Sequence, residues 1–379
     1  MANTFSVADR AFMAQAIQVA KQGLYSCHPN PRVGCLLVDE QGNEIARGAH
    51  LVAGQGHAEV NALAIAKERA KGATAYVTLE PCSHTGKTGP CAVALVKAGV
   101  KRVVAAMVDP NPEVAGRGLA ILAEHGIEVS SGLLEDEAKA LNPGFIKRML
   151  TGTPYVRLKT ASSLDGRTAM ASGESFWITG PAARSDVQHW RARSSAIITG
   201  VDSVVQDDSA LTVRPEQLPE SMHSRYTGLQ PLRVVLDSQL RLPLGAKLLS
   251  LPGQTLVATC LPEGDEHQAL RNQGAEVLVL EPNEAGQVPL DGLLKHLVSV
   301  YQCNEVLVET GATLAGSFLK AGLVDEWLLY QATCLLGSSA RPLVQWPLET
   351  MAQKQSFNLV DIRQFGNDLR LQLKPQQST

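Results

Sequence analysis

Four side chains in the first quarter of the chain have the types and the order needed to activate water at a metal. His57 and Glu59 stand two apart in "HAE", and Cys82 and Cys91 bracket "CSHTGKTGPC". One imidazole and two thiolates suit Zn²⁺, and three protein ligands leave the fourth tetrahedral position to water, which is the composition of a catalytic site. Zn²⁺ held by neutral His57 and two thiolates is formally neutral and still lowers the pKa of its water toward ~7. Glu59 lies about 200° around a helix from His57, so the two do not chelate one ion from a single helical face. If His57 opens the helix, both side chains reach a site off its N-terminus, and Glu59 is then the proton shuttle.

The elements that must hold these residues can be read around them. Ser6 and Asp9 form a capping-box-like start to a first helix that ends by Gly23 and the "SCHPNPR" turn. "VGCLLVDEQGNEIARGAH" reads as a hairpin around Gln-Gly-Asn, His57 to Lys71 as a helix stopped by Gly72, and "ATAYVTLE" as a strand. Pro90 suits a first helical position and Gly99 the far end, which puts Cys91 in a first turn, where the helix dipole favours its thiolate. The strand "RVVAAMVD", the turn "DPNP", a helix to Gly126 and the strand "IEVSSG" follow. Strands alternating with helices predict a mostly parallel sheet covered on both faces.

Near residue 150 the breakers in "LNPGFIKRMLTGTP" interrupt the pattern, so we place a first domain at 1–150 and a second at 151–379. The second again mixes the helices "SDVQHWRARS" and "LAGSFLKAG" with the strands "AIITG", "LRVVLD", "TLVAT", "AEVLVL" and "EVLVE". The polar segment from Arg214 to Pro231 reads as an exposed loop.

Composition narrows the classes of function. A chain of 379 residues exceeds one ordinary core and fits two domains, and 45% apolar with 19% charged residues is globular. A net charge of -3 with 4% aromatic residues supplies neither a field for phosphate backbones nor stacking platforms, so no nucleic-acid partner is expected. The N-terminal stretch has no basic, apolar leader pattern and no run approaches the ~18 apolar residues of a membrane span, so a cytoplasmic protein with no membrane partner is expected. Seven cysteines, an odd number, argue against a disulfide framework, and Cys27, Cys35, Cys260, Cys303 and Cys334 read as small buried hydrophobes.

The pattern H-x-E … P-C … C is similar to the signature of zinc nucleobase deaminases. Here eight residues separate Cys82 from Cys91 where two are usual. That spacer, with "SCHPNPRVG" and "DPNPEVAGRG", resembles the pyrimidine deaminases of riboflavin biosynthesis. "LKTASSLDGRTAMASGESFWITG", "HWRARSSAIITGVDSVVQDDSALTVR" and "VETGATLAGSFLKAGLVDE" resemble their fused partner, the 5-amino-6-(5-phosphoribosylamino)uracil reductase. Departures are small: Gly89, Ser209 and Ala312 each stand where a proline is usual. The resemblance implies a cytidine-deaminase-like three-layer α/β/α domain followed by a dihydrofolate-reductase-like α/β domain. It also implies Zn²⁺ and NADPH, a small phosphorylated pyrimidine substrate and a homo-oligomer.

Site residues follow by matching. Asn30, His84 and Lys87 correspond to contacts with the pyrimidine and its phosphate, although from the residues alone Asn30 serves equally as a turn residue and Lys87 as a solvated lysine. No G-x-G-x-x-G follows a predicted strand, which argues against a standard dinucleotide-binding fold. Instead, the turn Gly311, Ala312, Thr313, Leu314 opens a helix whose N–H groups could cradle a phosphate. The resemblance adds Ala161, Trp177, Ser203 and Asp207 as cofactor positions, and Ser175, Arg191, Leu211, Arg214 and Glu309 as substrate positions. Lys159, Asp207 and Glu309 are the candidates to polarise or protonate the sugar. Two rival readings are a nucleobase or tRNA deaminase with an unrelated second domain, and a zinc scaffold without catalysis.

Overall fold

The computed structural model describes residues 5–83, 89–112 and 114–376. The chain forms two compact units, Met1–Gly152 and Thr153–Thr379. His84 and Lys87 lie outside the described residues.

The first unit runs α1 (Val7–Ala20), β1 (Gly34–Val38), β2 (Glu44–Ala49), α2 (Ala58–Ala66), β3 (Thr74–Val77), α3 (Cys91–Ala98), β4 (Arg102–Ala105), α4 (Arg117–Glu124), β5 (Glu128–Ser131), α5 (Glu135–Leu141) and α6 (Pro143–Thr151). Its sheet has the order β2-β1-β3-β4-β5. Ser6 and Asp9 close the expected capping box on α1. The sheet is less parallel than the alternation predicts, because β1 is antiparallel to both β2 and β3 and only β3–β4–β5 is parallel. A tight turn between β1 and β2 forces their antiparallel pairing, and α2 then crosses over β1 to bring β3 in parallel to β2.

Two glycines show how the helices cover this sheet. A Cβ on Gly34 would lie 2.1 Å from the Ala16 carbonyl of α1, and one on Gly48 would lie 2.3 Å from the Ala58 carbonyl of α2. Gly48 pairs with Cys35, the neighbour of Gly34, so the two glycines point to opposite faces. Hence α1 and α2 press onto opposite sides. With α5 against α1 and α3 and α4 following α2, the unit is an α/β/α layering around one apolar core. Residues Lys67–Ala70 continue α2 as a 3-10 turn in place of a full helix.

The second unit runs β6 (Tyr155–Ser162), β7 (Arg167–Ala169), α7 (Pro181–Arg193), β8 (Ala196–Gly200), α8 (Val201–Asp207), α9 (Glu220–His223), β9 (Leu232–Leu236), α10 (Lys247–Ser250), β10 (Thr255–Thr259), α11 (Asp265–Asn272), β11 (Glu276–Val279), α12 (Leu290–Ser299), β12 (Glu305–Glu309), α13 (Ala312–Lys320), β13 (Glu326–Gln331), β14 (Arg341–Pro342), β15 (Phe357–Phe365) and β16 (Asp368–Pro375). Nine strands form one sheet in the order β11-β10-β9-β8-β12-β6-β13-β16-β15, parallel up to β13 and antiparallel in the closing β15–β16 hairpin. Val156 and Leu158 of β6, with Val306 and Val308 of β12, enter a core with Leu293 and Leu297 of α12 and Phe318 of α13. On the other face Leu307, Leu328 and Tyr330 pack under Ala183, Val187 and Trp190 of α7.

Three smaller expectations need correction. Pro90 is the N-cap of α3, one residue earlier than expected, so Cys91 is the first helical residue. The 214–231 segment is not simply an exposed loop: it holds α9 and buries Leu218 and Met222, whose apolar side chains a polar reading overlooks. Cys27, Cys35 and Cys303 are buried, but Cys260 and Cys334, both beyond strand ends, are only half-buried.

Candidate functional site

The residues expected to hold a metal converge from two helix starts. His57 is the N-cap of α2, with extended backbone angles of φ -71 and ψ 167, and its ring makes no capping hydrogen bond. The ring Nδ1 lies 3.5 Å from Cys82 Sγ and 3.3 Å from Cys91 Sγ. Bond lengths of ~2.3 Å to sulfur and ~2.0 Å to nitrogen in a tetrahedron put ligand atoms about 3.5 Å apart, so the trio has the spacing that Zn²⁺ requires. Among the described residues it is the one group of His, Cys, Asp and Glu ligand atoms gathered within 4.8 Å.

The electrostatics single out one thiolate, on Cys82, and do not favour the one expected on Cys91 at the start of its helix. The Cys82 thiol is pulled down to about 4, first by the hydrogen bond with Cys91 and, against burial, by His57. Its partner Cys91 is pushed up, first by that same bond and then by burial. The backbone N–H of Cys91 also donates to Cys82 Sγ at 3.3 Å, which binds the thiolate to the first turn of α3. Glu59, on the first turn of α2, is 3% exposed, and burial raises its pKa to about 7. A carboxyl group poised near neutrality beside three side chains that could hold a metal is suited to take a proton and return it.

A second histidine, which carries no signal in the sequence, lies beside this group. His50 is 2% exposed and sets its ring edge-on to His57, with centroids 5.1 Å apart. The Gly56 carbonyl, 3.1 Å from His50 Nδ1, can only accept, so Nδ1 carries the proton. Nε2 is thereby left to accept from the Asn30 amide at 3.0 Å. Burial lowers the His50 pKa, which keeps this tautomer neutral. Only the fold brings Asn30, His50 and His57 together; a lone histidine at a strand end looks like any other.

All of the second unit's matched residues line one cavity of ≈ 1860 Å³. That exceeds the roughly 300–1,000 Å³ of a single-ligand pocket and has room for a dinucleotide beside a substrate. The cavity opens at the carboxyl ends of β6, β8, β9 and β12, where parallel sheets hold their ligands. Gly311 is the N-cap of the nine-residue α13, without a side-chain cap, and open space surrounds the position of its missing Cβ. The first-turn N–H groups of Ala312, Thr313 and Leu314 are thus available to a phosphate, as NADPH would need. Ala161, Ser203 and the 63%-exposed Trp177 line the same space.

At the base of the cavity Lys159 of β6 and Glu309 of β12 are in register. Arg191 of α7 donates through Nε and Nη2 to Glu309 at 2.6 and 2.9 Å, and through Nη1 to the Thr212 carbonyl at 2.9 Å. Burial opposes ionisation of Glu309, but Arg191 and then Lys159 hold its pKa below the usual value. Lys159 itself is lowered, chiefly by burial. Ser175 donates to Asp207 at 3.4 Å, and burial raises the Asp207 pKa. Arg214 is placed through its backbone N–H to Gln188 at 3.0 Å, and Leu211 is buried with a left-handed φ of 49. Thr199, Ser238, Arg241 and Gln287 also line this cavity, and no motif in the sequence singles them out.

Comparison with known proteins agrees with both halves. Residues 6–107 match the cytidine and deoxycytidylate deaminase zinc-binding region, and residues 154–371 match the RibD C-terminal domain. The riboflavin biosynthesis protein RibD of Escherichia coli is 50% identical over 370 residues, covering 96% of this chain and 99% of that protein. That of Haemophilus influenzae is 47% identical over 380 residues, covering 98% of each. The solved structure of Acinetobacter baumannii RibD superposes with a TM-score of 0.90 at 53% identity, covering 98% of this chain and 99% of that one. The diaminohydroxyphosphoribosylaminopyrimidine deaminase/5-amino-6-(5-phosphoribosylamino)uracil reductase of Thermotoga maritima gives 0.84 at 32% identity, covering 97% and 99%.

Proposed function

We infer, from the premise that this chain belongs to the RibD family of bifunctional riboflavin-biosynthesis proteins, which of its residues carry each of two consecutive reactions. The enzyme deaminates 2,5-diamino-6-(5-phosphoribosylamino)pyrimidin-4-one with zinc, then reduces the ribosyl side chain to ribityl with NADPH. We assign the first reaction to residues 1–150 and the second to 151–379.

His57, Cys82 and Cys91 hold zinc, which when bound supplies a water acidic enough to lose its proton near neutral pH. Glu59 takes that proton and delivers it to the departing amine. Asn30 and His50 orient the pyrimidine, together with His84 and Lys87 of the spacer. The observation that carries this reading is the convergence of His57 Nδ1 on both thiols, at 3.3 and 3.5 Å, beside a buried carboxyl group.

In the second unit Gly311, Ala312, Thr313 and Leu314 hold a cofactor phosphate, with Ala161, Trp177, Ser203 and Asp207 along the cofactor. NADPH supplies the hydride. Ser175, Arg191, Leu211 and Arg214 place the phosphorylated substrate. Of the three candidates to protonate the sugar, Glu309 is engaged by Arg191 and held ionised, so it has no proton to give. Lys159 lies in register beside it, where, against the pull of burial, the Glu309 carboxylate favours its ammonium form, and we assign Lys159 in preference to Asp207 as the donor.

Among the described residues no helix is long and apolar enough to cross a membrane. We propose a cytoplasmic homo-oligomer that acts on a small molecule and not on nucleic acid; the net charge of -3 and the shortage of aromatic residues support the last of these. Light scattering of the purified protein tests the assembly.

The test of the whole is to follow ammonia release and NADPH oxidation together, with and without a zinc chelator. Ammonia should appear first and NADPH consumption second, chelation should stop both, and deaminated product should then restore NADPH consumption alone. Failure to consume NADPH even then removes the reductase assignment; ammonia release that withstands full metal depletion removes the zinc assignment.

A further inference from the structure

The loop "DPNPEVAGRG" has no part in the chemistry above, yet it is tied to the metal centre through one side chain. Glu80, two residues before the ligand Cys82, is 3% exposed. Its Oε2 accepts from the backbone N–H groups of Asp109 at 3.0 Å and Gly116 at 2.9 Å. Its Oε1 accepts from Gly118 at 2.8 Å and Leu119 at 3.3 Å. Gly116 is the N-cap of α4 and has no side chain with which to cap it, so the Glu80 carboxylate supplies that cap from a distant segment.

The same contact fixes the metal turn. A Cβ on Gly118 would come within 1.9 Å of the Pro81 carbonyl, so α4 presses its first turn directly onto Pro81. On the far side the Cys82 carbonyl accepts from Ala92 N–H at 3.2 Å, and Cys82 Sγ from Cys91 N–H at 3.3 Å. The three residues Glu80, Pro81 and Cys82 are therefore clamped between the N-termini of α4 and α3.

We propose that Glu80 is a positioning residue of the deaminase: it gathers the backbone of Asp109, Gly116, Gly118 and Leu119 onto the metal turn and so sets where the Cys82 thiolate meets the metal. The proposal rests on the reading that His57, Cys82 and Cys91 hold zinc. Residues that orient metal ligands from behind typically change metal affinity or activity about 10- to 100-fold when replaced. Glu80→Gln is the informative change, because a neutral amide keeps an acceptor for one N–H pair and turns a donor toward the other.

The experiment titrates metal-depleted full-length protein with Co²⁺ and reads the thiolate-to-cobalt charge-transfer and visible bands, alongside Zn²⁺ affinity, deaminase kinetics and NADPH turnover on deaminated substrate. For E80Q the expected result is a shifted cobalt spectrum, Zn²⁺ affinity down about 10- to 100-fold, and a fall in deaminase kcat with KM little changed, while NADPH turnover stays at the parent value. A lower melting temperature with parent-like cobalt bands and Zn²⁺ affinity would show that Glu80 only stabilises the fold, and would overturn the proposal. If E80Q does not fold, Glu80→Asp, which keeps the charge on a shorter arm, takes its place: shifted bands and weaker Zn²⁺ binding support the proposal, and parent-like values of both overturn it. Should the parent protein itself lack a thiolate-to-cobalt band, the ligand assignment falls and the Glu80 proposal with it, an outcome distinct from a parent band that E80Q leaves unmoved.

Discussion

Arg191 grips Glu309 through two parallel hydrogen bonds, Nε to Oε1 at 2.6 Å and Nη2 to Oε2 at 2.9 Å, across a gap of 118 residues in the chain. Both side chains are nearly buried, 12% and 11% exposed. Removing one member leaves the other charge buried and uncompensated, which costs about 3–5 kcal/mol, whereas replacing both with apolar groups is often close to neutral. Arg191→Met should therefore lower the stability of the second unit by about that amount, and Arg191→Met with Glu309→Met should recover most of it. Neither variant should oxidise NADPH. Calorimetry checks the first statement, and a double variant no more stable than the single one would locate the loss elsewhere.

Glu59→Gln isolates proton transfer from metal binding. The amide is the same size and Glu59 is not a ligand in the geometry described, so bound zinc should remain at the parent level. Deamination should fall about 10²- to 10⁴-fold, the usual contribution of a positioned proton carrier. Metal analysis and ammonia release on the same preparation give the answer. Loss of zinc in this variant would make Glu59 part of the ligand set.

Why some of this is legible in the sequence and some is not has a physical basis. His57, Glu59, Cys82 and Cys91 stand out because metal ligation restricts residue types, and because a proline ahead of Cys91 and the pattern after His57 place both at helix starts. His50 and Glu80 do not, since each acts through partners brought by the fold: a ring edge in one case, four backbone N–H groups in the other. The Arg191–Glu309 pair obeys no spacing rule for the same reason. β13, in "EWLLYQ", and the β15–β16 hairpin are absent from the strands expected above, although "LRLQLKP" alternates as a strand should and Gly366 has the left-handed φ of a turn. The antiparallel β1–β3 pairing follows from a crossover that skips a strand, which alternation of elements cannot reveal.

Asp9 ties the first helix to the sheet and should make the first unit acid-sensitive. Its carboxylate accepts from Ser6 N–H at 2.9 Å, the Tyr76 hydroxyl at 2.7 Å and Arg102 Nη1 at 2.7 Å. Burial would raise its pKa, but Arg102, Tyr76 and Ser6 together hold it well below the usual carboxylate range. A carboxyl group depressed on folding contributes stability that is present above its unfolded pKa, near 3.9, and lost as pH falls toward the folded value. Asp9→Asn should cost about 1.5–3 kcal/mol at pH 7. Its penalty should shrink as the parent is acidified below about pH 4. Denaturant melts of parent and variant across that range test the sign; a penalty that grows on acidification would contradict it.

Lys159 should leave its mark on the alkaline side of the reductase pH profile. It lies in register beside Glu309, and its pKa is lowered, chiefly by burial and further by Arg191, against the pull of Glu309. A proton donor works while protonated, so kcat/KM for NADPH oxidation should be level below the Lys159 pKa and fall as pH rises through it. Because that pKa is lowered, the fall should begin below the ordinary lysine value of about 10.4. Lys159→Met should reduce the reductase rate about 10²- to 10⁴-fold and abolish this limb, while ammonia release from the first unit is unchanged. Lys159→Arg keeps the charge yet cannot release its proton at working pH, so it should be nearly as slow, which separates proton donation from simple charge. A limb that persists in Lys159→Met would assign the proton to another group, and Asp207, whose pKa burial raises and which lines the same cavity, is the next to replace.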